Sequence, residues 1–77
     1  MKYKVWDIVV MKIMDTTSEW PHYTANMRVR FIDNPEVKII DIIGEDRYYV
    51  RDHTGSSWQV LEKWIESGEG AVSYFIS

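Results

Sequence analysis

The run VKIIDII-GED-RYYVRD, residues 37–52, decides how this chain folds. Two segments rich in β-branched and aromatic residues flank Gly44-Glu45-Asp46, a loop of three residues containing Gly, and that spacing reads as a β-hairpin. Alternation along the second segment then sorts the side chains. Tyr48 and Val50 share one face, while Arg47, Tyr49 and Arg51 share the other, because successive strand residues point to opposite sides.

Working outward from the hairpin, Asp52-His53-Thr54-Gly55 carries Asp and Gly at the first and fourth positions of a type I turn. SSWQV (56–60) reads as the next strand, and Leu61 to Trp64 as a single 3-10 turn before Ile65 resumes extension. Towards the N-terminus, YKVWDIVVMKI (3–13) reads as a strand rich in Val and Ile. MDTTSEWPHYTAN (14–26) loses periodicity and is expected to be a long excursion between strands. MRVRFI (27–32) alternates, with Met27, Val29 and Phe31 on one side and Arg28 and Arg30 on the other, so it is predicted as a half-buried strand that ends at Asp33-Asn34-Pro35. After Ser67-Gly68-Glu69-Gly70, the alternating AVSYFIS (71–77) is predicted as an added strand or tail. The expectation is an all-β fold: a small antiparallel barrel of five to six strands, closed so as to remove exposed edges.

The composition sets limits on function. A chain of 77 residues has a thin core, because small domains bury a smaller share of their surface than large ones. Four Trp, five Tyr and two Phe suit it, since each ring buries a large apolar area. With no cysteine, disulfide staples and Cys-ligated zinc are excluded, and a reducing cytoplasm is the expected compartment. The longest apolar run, IVVM at 8–11, is too short for a bilayer span or a signal-peptide core. Nine Lys and Arg against twelve Asp and Glu leave a formal charge of −3, which argues against duplex DNA, whose phosphates call for a cationic excess.

The order of parts resembles the small SH3-like barrels. KVWDIVV (4–10) is similar to the K-V-G-D-x-V-x opening common in such domains, residues 39–52 look like their central hairpin, and SSWQVLEKWIE (56–66) looks like the aromatic strand, 3-10 turn and final strand that complete them. Trp6 stands where such sequences usually carry Gly, a departure that bears on the geometry of that first turn. The resemblance implies a barrel over residues 1–66 and a C-terminal extension over 67–77. Its members include peptide-binding modules, RNA-contacting modules, chromatin readers and small phage-encoded accessory proteins. A short, acidic, Cys-free barrel looks similar to the phage or prophage accessory proteins that bind and modulate or inhibit a host protein.

No reaction centre is legible. His22 and His53 both fall in predicted loops without a neighbouring nucleophile arrangement, and no phosphate-binding or metal motif occurs. Asp52 and His53 are adjacent ligand types, but neighbouring strand positions face opposite ways. Neither a catalytic residue nor a metal or cofactor is therefore expected. The candidates are contact residues. Trp20 and Tyr23 lie on the long loop in Glu19-Trp20-Pro21-His22-Tyr23, as a lid on the barrel or as binding anchors, the residue types that dominate hot spots. Arg28, Arg30, Arg47, Tyr49 and Arg51 fall on outward faces and would form one basic, aromatic-bearing wall; the blander account pairs them with Glu36, Asp33 and Asp41. Of Trp58 and Trp64, at least one is expected in the core. Glu62, Glu66 and Glu69 leave the C-terminal end acidic. The leading expectation is a protein partner. Single-stranded RNA or DNA is the alternative, and self-association through the C-terminal strand is a third reading.

Overall fold

The computed structural model describes residues 3–67. Among these residues five strands make one antiparallel sheet: β1 (Ile8–Met11), β2 (Glu36–Gly44), β3 (Arg47–Arg51), β4 (Ser57–Leu61) and β5 (Ile65–Ser67), in the order β4-β3-β2-β1-β5. The sheet curls into a half-barrel. A helix, α1 (Ala25–Asp33), is inserted between β1 and β2, and a 3-10 turn at Glu62–Trp64 joins β4 to β5. The expected strand at 71–77 lies outside the described residues.

The hairpin is as read, with one refinement. Gly44 pairs with Arg47, so the connection is the two-residue Glu45-Asp46. Tyr48 and Val50 are fully buried while Tyr49 and Arg51 are exposed, as the alternation demands. A register shift between Ile39 and Asp41 places Asp41 opposite Tyr49, so that the two faces stay sorted through an irregular stretch. The 3-10 turn also falls where the sequence puts it, and its Trp64 is 1% exposed.

MRVRFI is not a strand. Met27 and Phe31, both buried, are four residues apart, a spacing that satisfies a two-residue period and a helical one equally. Val29 separates the two readings, and at 65% exposure it points away from the core. The local signals for helix sit just outside the run. Thr24 Oγ1 accepts a hydrogen bond from Met27 N at 3.3 Å, capping one of the unpaired amides of the first turn. At the other end Asn34 N donates to Arg30 O at 3.0 Å, and Pro35 cannot continue the ladder.

Two further expectations are corrected. β1 is four residues long rather than eleven, because residues 4–7 form a turn in which Asp7 N donates to Lys4 O and Lys4 N to Asp7 Oδ2. The all-β antiparallel fold holds as expected, but among the described residues its sheet curls into a half-barrel open on one side rather than a closed barrel. Among the described residues β4 and β5 pair only with β3 and β1, and the open side is filled by side chains from α1 and the preceding loop. Tyr23, Met27 and Phe31 join Val9, Tyr48 and Trp64 in one apolar cluster. Tyr23 meets Trp64 edge-on at 5.3 Å and Phe31 at 5.9 Å, geometries that favour ring pairs.

The β3–β4 turn is built on Asp52, which is 6% exposed. Its Oδ1 accepts from Thr54 N, Thr54 Oγ1 and Ser56 N, and its Oδ2 from Trp58 Nε1 at 2.7 Å. Gly55 sits at φ +91°, where a side chain would be strained. Burial alone would raise the Asp52 pKa; the hydrogen bonds from Thr54, Trp58 and Ser56 outweigh it and hold the carboxyl at about 2 against 3.8. Because the folded value is the lower one, this group's contribution is complete above about pH 5 and is lost as pH falls through 3.8 towards 2. Asp52→Asn is therefore expected to lower stability at pH 7 by about 2 kcal/mol and to change it little near pH 2, measured by urea denaturation at the two pH values. An equal loss at both would show that the carboxylate charge is not what holds the turn.

Tyr23 allows a second test, since its hydroxyl donates to Lys12 O at 2.7 Å. Tyr23→Phe should cost about 1 kcal/mol for the lost hydrogen bond. Tyr23→Ala should cost about 3–5 kcal/mol for the lost ring. Denaturation curves showing neither loss would return Tyr23 to the surface.

Candidate partner-binding face

The outward side of the sheet collects the groups that the core excludes. Register places Ile8 opposite Lys38, Lys38 opposite Arg51, and Arg51 opposite Ser57, one row of side chains running across four strands. The next row is Asp41, Tyr49 and Gln59, and Arg47 follows on β3. Tyr49 is 41% exposed and Ile8 37%.

Trp6 borders this face from the turn that precedes β1. Its amide donates to Ile39 O at 2.7 Å, and Ile39 N returns a bond to Asp7 O at 2.9 Å, so the turn is anchored to β2 by its backbone. The anchoring holds Trp6 at φ +78°, a left-handed conformation that Gly adopts freely and bulky residues seldom do. The strain is on the order of 1–3 kcal/mol. Burial does not offset it, since the side chain is 69% exposed. Lys38 Nζ stands 5.9 Å from the ring centroid, a cation–π contact worth about 0.5–1 kcal/mol at an exposed site.

The cations on this face have no ion-pair partner among the described residues. Among the described residues the ion pairs are Arg28–Asp15, His53–Asp33 and Lys63–Glu19, so Lys38, Arg47 and Arg51 have no carboxylate within 4.0 Å. The pairing considered for the arginines does not form: Asp33 is taken by His53 at 2.7 Å, and Asp41 Oδ1 accepts from the Ile42 amide at 2.8 Å.

The predicted residues separate into three groups. Arg47, Tyr49 and Arg51 stand together on the outer face. Arg28 and Arg30 do not join them, because they belong to α1, whose Met27 and Phe31 pack into the opposite, inner side of the sheet; Arg28 Nε lies 3.9 Å from Asp15 Oδ1. The loop pair is divided. Tyr23 is fully buried and so is no contact anchor, with its hydroxyl pKa raised by burial. Trp20 is 68% exposed, and its ring meets that of His22 edge-on at 6.1 Å. Trp58 is half-buried through its bond to Asp52. Sequence reasoning missed Trp6 and Lys38 as members of the site. The signal for Trp6 was present, as a Trp where a Gly is usual.

Among the described residues no three His, Asp or Glu side chains converge as metal ligands. Within the same residues no helix is long and apolar enough to cross a membrane. Comparison with family models, with curated proteins and with solved structures found no match.

Proposed function

We propose that this chain is a non-catalytic protein-interaction module that captures its partner on the outer sheet face, in the manner of the small phage or prophage accessory proteins its sequence resembles, which bind and modulate a host protein. The observation that carries the reading is the pair of exposed rings, Trp6 and Tyr49, set among three cations without ion-pair partners among the described residues. Exposed rings beside Arg are the residue types on which binding energy concentrates. Unpaired cations add electrostatic steering to an otherwise acidic molecule.

Interleaved rings and cations also suit stacking on single-stranded RNA or DNA, and that is the second reading. Two features of the face favour protein. Asp41 lies in the same row as Tyr49 and Glu36 begins the strand that carries Asp41, so a phosphate backbone following the strands would meet carboxylates on its way. A protein partner can present complementary charge of both signs.

The test is affinity capture from a nuclease-treated bacterial lysate with the parent chain and with Tyr49→Ala and Trp20→Ala. The expected outcome is one protein retained by the parent and by Trp20→Ala but lost with Tyr49→Ala, while both variants keep the parent's melt within about 0.5 kcal/mol, as surface substitutions usually do. Capture that survives Tyr49→Ala and fails with Trp20→Ala would move the contact to the loop. Recovery of nucleic acid alone from an untreated lysate would replace this reading with the second one.

A further inference from the structure

Two features of the outer face are each unfavourable for the isolated chain, and they adjoin one another. Trp6 occupies a left-handed backbone position at φ +78° while exposing most of its ring. Lys38 and Arg51 are direct cross-strand partners on one face, and like charges placed opposite each other repel. Lys38 in turn is the cation whose ammonium approaches the Trp6 ring. Neither Lys38 nor Arg51 is relieved by a carboxylate among the described residues. Local rules that fail together on an exposed surface mark functional sites, where a ligand supplies the missing compensation.

We infer that Trp6, Lys38 and Arg51 form a carboxylate-recognition subsite that docks an acidic segment of the partner protein; this rests on the interaction-module reading above. Cβ atoms of directly opposed strand residues lie about 4.5–5.5 Å apart, so an ammonium and a guanidinium on such stems can converge on one carboxylate. The guanidinium offers the paired donors that fit its two oxygens. The bound anion cancels the repulsion between Lys38 and Arg51. Trp6 and Ile8, which opposes Lys38 on its other side, supply apolar surface for the stem of the acidic side chain and the backbone beside it. The occupant is thus anionic at its tip and apolar at its flank, which describes a Glu- or Asp-bearing peptide segment.

The experiment uses the full chain labelled with nitrogen-15 and three probes at low salt. The first is a dodecapeptide repeating Glu-Asp-Gly, the second the same peptide with Gln and Asn replacing the acids, and the third a fifteen-nucleotide oligothymidylate. The acidic peptide should shift the Trp6 indole and the backbone amides of Lys38 and Arg51, and the amide peptide should not. Its affinity should fall as salt rises, and should drop by about tenfold or more in Lys38→Ala and in Arg51→Ala, each of which removes a charge-assisted contact. Trp6→Gly and Trp6→Asn separate function from scaffold: both tolerate the left-handed backbone, so both should melt at or above the parent temperature while losing the peptide. Melting far below the parent in both would make Trp6 a structural residue and overturn the inference. An acidic peptide that leaves these three residues unshifted, while lysate capture still depends on Tyr49, would defeat this subsite and spare the interaction module. Oligothymidylate shifting the same residues without any peptide binding would defeat both.

Discussion

The contact between Tyr23 and Trp64 holds the two halves of this molecule together. The sheet is an open arc whose outer strands do not pair with each other among the described residues, so hydrogen bonding alone cannot close it. Tyr23 comes from the long loop and Trp64 from the 3-10 turn, and their rings meet edge-on at 5.3 Å. Around that contact the backbone is stitched as well: Lys12 N donates to Trp64 O at 2.8 Å and Lys12 O accepts from the Tyr23 hydroxyl. One residue of the chain leaving β1 therefore ties the loop to the turn before β5. In a domain with so thin a core, two large rings and their polar handles replace the closure that extra strands would provide.

That arrangement explains which parts of the fold were legible. The hairpin and the 3-10 turn are local objects, specified by alternation, a short Gly-containing loop and turn chemistry, and each stands where those signals put it. The helix was not legible because its two buried residues are four apart, and the fold needs only those two to seal the open side of the sheet. A short helix with two inward side chains leaves the same trace as a short strand until the residue between them is examined. Val29 gave no warning, since a Val at that position suits the inner face of a strand and its exposure is known only from the structure. Thr24 and the Asn34-Pro35 stop were the better guides, and they lie just outside the periodic run.

The site was half legible for a related reason. Arg47, Tyr49 and Arg51 inherit their position from Tyr48 and Val50, whose burial leaves them nowhere else to point. Arg28 and Arg30 had no such guarantee, because their parity depended on a strand that does not exist. Trp20 and Tyr23 show the limit of composition as a guide: they are three residues apart on one loop, yet one is almost as exposed as Trp6 and the other is fully buried. What separates them is tertiary, namely the reach of the Tyr23 hydroxyl to Lys12 O, and no local pattern encodes it. Lys38 escaped notice because its neighbour across the sheet becomes known only with the register.

The inner and outer faces are linked through β2. Ile39 is fully buried, and its amide and carbonyl hold the turn that carries Trp6, through the bonds to Asp7 O and Trp6 N. The residue that fills the core at this point is thus also the one that pins the strained position in place. Strain of this kind persists only where surrounding structure over-determines the backbone, and a turn bonded on both sides of a buried Ile meets that condition. A Gly at position 6 would satisfy the same hydrogen bonds without strain and would leave the turn intact. The turn therefore does not require the tryptophan, and the physical role left for its ring is the one it displays outward, next to two like charges that the fold places side by side.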